Sequence, residues 1–177
     1  MVVYGTVYAG VRVRFSSSSF MLNFKYFFES KVMDQYFNVG VVGYSKSNFD
    51  HSKAENLIKK AFDKIESKYP DKQKNCVSGW TNQGVPAIAY AEAVKRGWKT
   101  TGVACSKIKN MKCFPVDYEY LEGEQWGDES KKFLSLLDVI IRVGGGKQSF
   151  DEVESVKEKN LPVFEFEVAT FDCFDED

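Results

Sequence analysis

Two hydrophobic periods alternate along the chain from Tyr36 onward. Short runs rich in β-branched residues read as strands: Phe37-Asn38-Val39-Gly40-Val41-Val42-Gly43, Asn75-Cys76-Val77-Ser78, Lys99 to Ala104, Val139 to Val143, and Leu161 to Val168. Between them apolar residues recur at helical spacing. Leu57, Ile58, Ala61, Phe62 and Ile65 share one face of a helix expected from about Ser52, with Pro70 just past its end. Ser52 and Glu55 stand at capping-box spacing, as do Ser149 and Glu152 at the start of a later amphipathic segment. A helix from Pro86 through Arg96 carries Ala87, Ala89, Ala91 and Ala93, which make it slim enough to approach a sheet closely. Asp128 is positioned to cap a helix through Leu137 that turns Phe133, Leu134, Leu136 and Leu137 inward. From Cys105 to Gly127 no period holds, apart from a short extended piece near Asp117 to Leu121. Strands alternating with helices predict an α/β fold: a three-layer, Rossmann-like, doubly wound parallel sheet with helices on both faces.

The first 36 residues follow neither period. Arg12, Arg14 and Lys25 are the only charges before Glu29, Ser16 to Ser19 form a serine run, and aromatics crowd Phe20 to Phe28. Residues 1–36 therefore read as a leader, an extension or a disordered segment, with Met33 as an alternative start and organelle targeting by residues 1–32 as a further reading. Residues 37–170 form one domain, and residues 171–177 an acidic tail.

Composition narrows the chemistry. With 177 residues there is room for one sizeable core. A net charge of −1 offers no general attraction for nucleic acid or anionic lipid, so neither is expected as a partner. Cys76, Cys105, Cys113 and Cys173 contain no C-x-x-C pair and suit reduced thiols in a cytoplasmic protein. The single histidine, His51, gives a His-based triad or metal centre little material, and no metal or resident cofactor is expected. No apolar run approaches the roughly 20 residues of a membrane helix. The lysines from Lys59 to Lys74 are interleaved with acids and read as a solvated face.

The site follows from topology. In open parallel sheets ligands sit beyond the carboxyl ends of the strands, at the switch in strand order. Three loops follow strands and must emerge on that edge. They are Gly43-Tyr44-Ser45, the loop carrying Ser78, Gly79, Trp80, Thr81, Asn82 and Gly84, and Gly144-Gly145-Gly146-Lys147-Gln148-Ser149. Glycines admit a close backbone approach, and the free N–H groups of a helix start favour an anion, most often phosphate. The ligand implied is a small, nucleotide-like molecule. A dinucleotide fingerprint is not met, since the first loop is Gly40-x-x-Gly43. A Walker loop is not met either, since Gly146-Lys147 is followed by Gln148.

Gly144-Gly145-Gly146-Lys147-Gln148-Ser149-Phe150-Asp151-Glu152 resembles the P-G-G-x-G-T-x-x-E motif of the LOG/SLOG superfamily, the lysine-decarboxylase-like Rossmannoid proteins that include the LONELY GUY phosphoribohydrolases. Gly145, Gly146 and Glu152 match it, Ser149 replaces its Thr, Gly144 its Pro and Gln148 its last Gly. Asp138 stands before the strand as the family's aspartate does. The resemblance spans about residues 39–168 and implies nucleotide binding and a homodimer. Its hydrolase members imply a catalytic role for Glu152 in cleaving the N-glycosidic bond of a nucleoside 5′-monophosphate. The family's Arg-Lys pair before the motif strand is replaced by Glu129 and Ser130, which favours binding over hydrolysis.

Several residues carry two readings. Glu152 is either a capping-box partner of the Ser149 N–H or a group acting on ligand. Trp80 and Trp126 either stack on a base or plug the core. Glu124, Asp128 and Glu129 either approach a ribose or cation, or form a solvated acidic loop. Lys147 either pairs with phosphate or lies exposed. Cys105 reads as a small core residue and His51 as part of a loop.

Overall fold

The computed structural model describes residues 5–8, 11–14, 33–46 and 48–171. The serine run, the aromatic cluster at 20–28 and the tail at 172–177 lie outside them. Two units are present, Met1–Gln35 and Tyr36–Asp177. In the first, β1 (Gly5–Tyr8) and β2 (Val11–Arg14) pair antiparallel, with Tyr8 opposite Val11.

The second unit carries six parallel strands in the order β6-β5-β4-β3-β7-β8. They are β3 (Phe37–Gly43), β4 (Lys74–Gly79), β5 (Lys99–Ala104), β6 (Tyr118–Leu121), β7 (Val139–Val143) and β8 (Val163–Phe166). Helices α1 (His51–Lys68), α2 (Gly84–Lys95), α3 (Ser130–Leu136) and α4 (Lys147–Glu158) cover the sheet, and a 3₁₀ turn spans Ser106–Asn110. The chain winds outward from β3 to β6, then returns to lay β7 on the other side of β3. The switch in strand order therefore falls at β3 and β7.

The interior follows from strand alternation. Val39, Val41, Cys76, Val139, Ile141 and Val143 pack with Ala54, Ile58, Ala61, Phe62 and Ile65 of α1 and with Val85, Ala89, Tyr90 and Ala93 of α2. On the opposite face, Gly40 meets Leu137, and a Cβ there would lie 2.6 Å from that side chain. Polar groups inside the sheet are paired. Asn75 donates to Asn38 Oδ1 at 2.8 Å, and Thr101 donates to Asn75 Oδ1 at 3.0 Å, tying β3, β4 and β5 together. The Tyr90 hydroxyl lies 2.8 Å from Ser78 O and 2.9 Å from Thr101 O, so α2 is hydrogen-bonded into the sheet beneath it.

Helix starts depart from the sequence expectation. Asp50, not Ser52, caps α1, its Oδ1 accepting from Lys53 N at 2.9 Å. The Phe49–Thr170 bridge fixes the chain one residue earlier, so Asp50 holds the extended backbone of a cap while Ser52 is already helical. Asp128 does not cap α3. Its Oδ2 accepts from Glu124 N at 2.9 Å and Gln125 N at 2.8 Å, which closes the acidic loop on itself. Ser149 and Glu152 form no capping box, because α4 starts earlier, at Lys147 with Gly146 as its N-cap.

Candidate functional site

A cleft of about 550 Å³ opens at the carboxyl edge of β3, β4 and β7. Gly43, Ser45, Ser78, Gly79, Thr81, Trp126, Gly146, Lys147, Gln148, Ser149 and Glu152 line it, so all three loops contribute. A smaller hollow of about 380 Å³ shares Trp126, Lys147, Gln148 and Glu152 with it.

Strand β7 runs into Gly144 and Gly145, both at positive φ (57° and 105°), before the chain enters α4. Neither glycine lines the cleft. A Cβ on Gly144 would overlap the Tyr44 ring, and one on Gly145 would lie 2.6 Å from Ser149 Oγ and 3.1 Å from Gly43 Cα. These two glycines let the loops pack against each other rather than admitting a ligand. Gly146 is different, for a Cβ there meets nothing within 4 Å, and the same holds for Gly79. Both border the cleft. No side chain caps α4, so the N–H groups of its first turn point outward with the positive end of the helix dipole behind them.

Hydroxyl groups surround this helix start. Ser149 is buried in the first turn of α4. Ser78 is also buried, donates to Val41 O at 2.6 Å and lines the cleft, and Thr81 Oγ1 lies 3.4 Å from Gln83 O. Lys147 is exposed and paired with Asp151 on the next turn.

The opposite wall is acidic. Glu152 is buried; its Oε1 accepts from Ser130 Oγ at 2.7 Å and from Gln148 Nε2 at 3.1 Å. Its carboxylate is therefore turned toward α3, not folded back on the Ser149 N–H. Burial pushes the Glu152 carboxyl above its ordinary value, and nearby Glu129 and Asp151 add to the rise against the opposing bonds from Ser130 and Gln148. Glu129 is equally buried; its Oε2 accepts from Gly127 N at 2.9 Å.

Other expected site residues lie elsewhere. Tyr44 packs on Phe49 with ring centroids 5.4 Å apart, and its carbonyl accepts from Val85 N at 2.8 Å. Trp80 is half-buried and does not line the cleft: its indole N–H donates to Phe114 O at 2.9 Å, and its ring covers Gly102. Asn82 donates its N–H to Lys112 O at 2.9 Å, and Gly84 packs under the Tyr44 carbonyl. Glu124 is exposed beside Asp128, away from the cleft. Trp126, at 49 % exposure, lies on the rim. Cys105 is buried, and His51 stacks on Phe49 with centroids 4.3 Å apart. Arg142 is buried in β7, ion-paired with Glu165 and Glu167 and set against the Phe150 ring, so it is committed to structure. Among the described residues no group of three or more His, Cys, Asp or Glu is placed to hold a metal, and no helix is long and apolar enough to cross a membrane.

The sequence reading missed Met111 and Phe133 as cleft residues, along with Val103 and Pro86. Phe133 carried a signal, since its inward position on α3 was legible. Met111 lies after the 3₁₀ turn in the stretch without period and carried none.

No family model matches the sequence, and no curated protein matches it. Solved structures do. The X-ray structure of TM1055 is 19% identical, with a TM-score of 0.56 and 71% of each chain covered. Two structures of the molybdenum cofactor carrier protein from Chlamydomonas reinhardtii give a TM-score of 0.59 each. They are 19% and 21% identical and cover 73% and 74% of this chain and 76% of theirs. At such identity the likeness is one of architecture: this chain has the Rossmann-like fold of those proteins.

Proposed function

We propose that this chain binds a nucleotide or nucleotide derivative in the manner of LOG/SLOG proteins, its phosphate held by the glycine loops at the carboxyl edge of the sheet. The observation that carries this reading is the uncapped start of α4, with Gly146 open and Ser45, Ser78, Thr81 and Ser149 around the same cleft. A fold neighbour named as a cofactor carrier supports a small-molecule ligand. The test is a thermal-melt panel of nucleoside mono-, di- and triphosphates at pH 7. The expected result is a rise in melting temperature that saturates with ligand, and that shrinks in Ser149→Ala. A flat response across the panel overturns the reading.

A second reading has its own observation. Glu152 is a buried carboxyl, held above its ordinary pKa and lining the cleft. That is the setting of a group that stabilises an oxocarbenium-like ribose or moves a proton. Hydrolysis of a nucleoside 5′-monophosphate then releases free base, seen by chromatography, and Glu152→Ala abolishes it. Base release unchanged in that variant removes Glu152 from the chemistry.

A further inference from the structure

In the wall of the cleft, two carboxylates and a hydroxyl converge on one amide. Gln148 Nε2 lies 3.3 Å from Glu129 Oε1, 3.2 Å from Ser130 Oγ and 3.1 Å from Glu152 Oε1. An amide nitrogen has two hydrogens, so three acceptors share two donors, all of them longer than the usual N–H···O distance of about 2.9–3.0 Å. Gln148 is an exposed residue, whereas Glu129 and Glu152 are each only 7 % exposed. An exposed side chain thus reaches inward to serve two buried carboxylates. It does not serve them fully. Glu152 Oε2 makes no hydrogen bond among the described residues, although Glu152 lines the cleft.

The charge of this group says what would complete it. Among the described residues no lysine or arginine pairs with Glu129 or Glu152, and Lys147, the cation at the helix start, is taken by Asp151. The unbonded Glu152 oxygen is not sealed in the interior but belongs to a residue lining the cleft, where a donor on a ligand can reach it. We infer that Glu129, Ser130 and Glu152 form a subsite for a primary amino group of the ligand, occupied by the Gln148 amide until the ligand displaces it. This inference deepens the nucleotide reading and rests on it. The phosphate lies at Gly146 to Ser149, and the ring turns an exocyclic amine toward Glu129 and Glu152. Trp126 offers its face at the rim, 49 % exposed. The class of ligand is therefore a nucleotide whose ring carries an amino substituent. An arriving amine donor also offsets the burial of Glu152, the main cause of its raised carboxyl, and the lesser repulsion from Glu129.

Titration calorimetry with two pairs of nucleotides that differ only by the amine tests this: AMP against purine riboside 5′-monophosphate, and GMP against IMP. In the wild-type protein at least one amino-bearing member is expected to bind about tenfold tighter than its partner. Glu129→Gln reduces that preference to within about twofold, and Glu152→Gln does the same where Glu129→Gln melts too low to use. Gln148→Ala keeps or enlarges the preference, because the ligand no longer has an amide to displace. Equal affinity within both pairs overturns the subsite while leaving the phosphate reading standing; no binding by any of the four overturns both. A preference lost in Gln148→Ala but intact in Glu129→Gln and Glu152→Gln also overturns it, since Gln148 would then be reading the ring.

Discussion

Tyr44 and Gly144 meet face to face, one just past β3 and the other just past β7. A methyl group at 144 would overlap the Tyr44 ring, and Gly144 sits at φ 57°. Gly144→Ala therefore carries a backbone cost of about 1–2 kcal/mol and a steric cost on top of it. The expected outcome is a melting temperature lower by about 5–10 °C. Tyr44→Ala in the same background recovers the steric share and leaves the backbone share, which a double-mutant cycle on denaturant midpoints separates.

Gly145 and Gly146 are adjacent in sequence and opposite in tolerance. Gly145→Ala forces a side chain at φ 105° against Ser149 Oγ and the Gly43 backbone, and is expected to cost about 2 kcal/mol or more. Gly146→Ala places its methyl in open space at φ −99° and is expected to shift the melting temperature by no more than about 2 °C. The proposed phosphate site predicts the reverse order for ligand: Gly146 lines the cleft, so its added methyl weakens the nucleotide-induced shift in melting temperature.

Glu152 has its carboxyl raised by burial and by neighbouring Glu129. With the folded value above the unfolded one, the native state binds this proton more tightly, so stability falls as pH rises from the ordinary carboxylate value through the raised one. Glu152→Gln removes that loss. The variant is expected to melt higher than wild type at pH 7, with the advantage vanishing near pH 4; equal melting curves at pH 7 would show that the bonds from Ser130 and Gln148 fully offset burial.

Asp117 behaves in the opposite sense. Burial pushes its carboxyl up, but Lys99, the Thr100 hydroxyl and the Thr100 N–H together hold it below the ordinary value. The distances are 2.8 Å to Lys99 Nζ and 3.0 Å to each Thr100 donor, which fastens the start of β6 to β5. This stabilisation is complete above the unfolded pKa and is lost as pH falls through the folded one. Asp117→Asn is expected to lower stability by about 1 kcal/mol at pH 7 and by much less near pH 3, read from urea midpoints at the two pH values.

Strands were the most legible part of the chain because short runs rich in β-branched residues, bounded by turn residues, mark them. Val139–Val143 and Lys99–Ala104 begin and end where the residues say. Helix starts were less legible, for a reason visible at two places. Ser52–Glu55 and Ser149–Glu152 have capping-box spacing, yet each pair lies inside a helix that begins one or more residues earlier. What decides the start is where the preceding chain is held: the Phe49 bridge to Thr170 in one case, the Tyr44–Gly144 contact in the other. Both are tertiary facts. In the site, topology alone brought Gly43, Ser78 and Ser149 to one edge. It did not distinguish Trp80, which lies over Gly102 and does not line the cleft, from Trp126, which does, because each is a lone aromatic in a glycine-bearing loop. The convergence of Glu129 on Gln148 was hidden too, since it depends on how the aperiodic segment before α3 closes through Asp128.

The return of the chain to β3 sets the timing of assembly. Val39 pairs with Val139, and the Asn38 N–H is capped by Asp138 Oδ2 at 2.7 Å, across a sequence separation of 100 residues. While a ribosome is still making the middle of the chain, β3 is an open edge with Val39 and Val41 on it, able to template a neighbouring chain. Arrival of β7 closes that edge and in the same step delivers the helix start that completes the cleft. One docking event, the pairing of β7 with β3, therefore both removes an open strand edge and sets α4 beside the cleft.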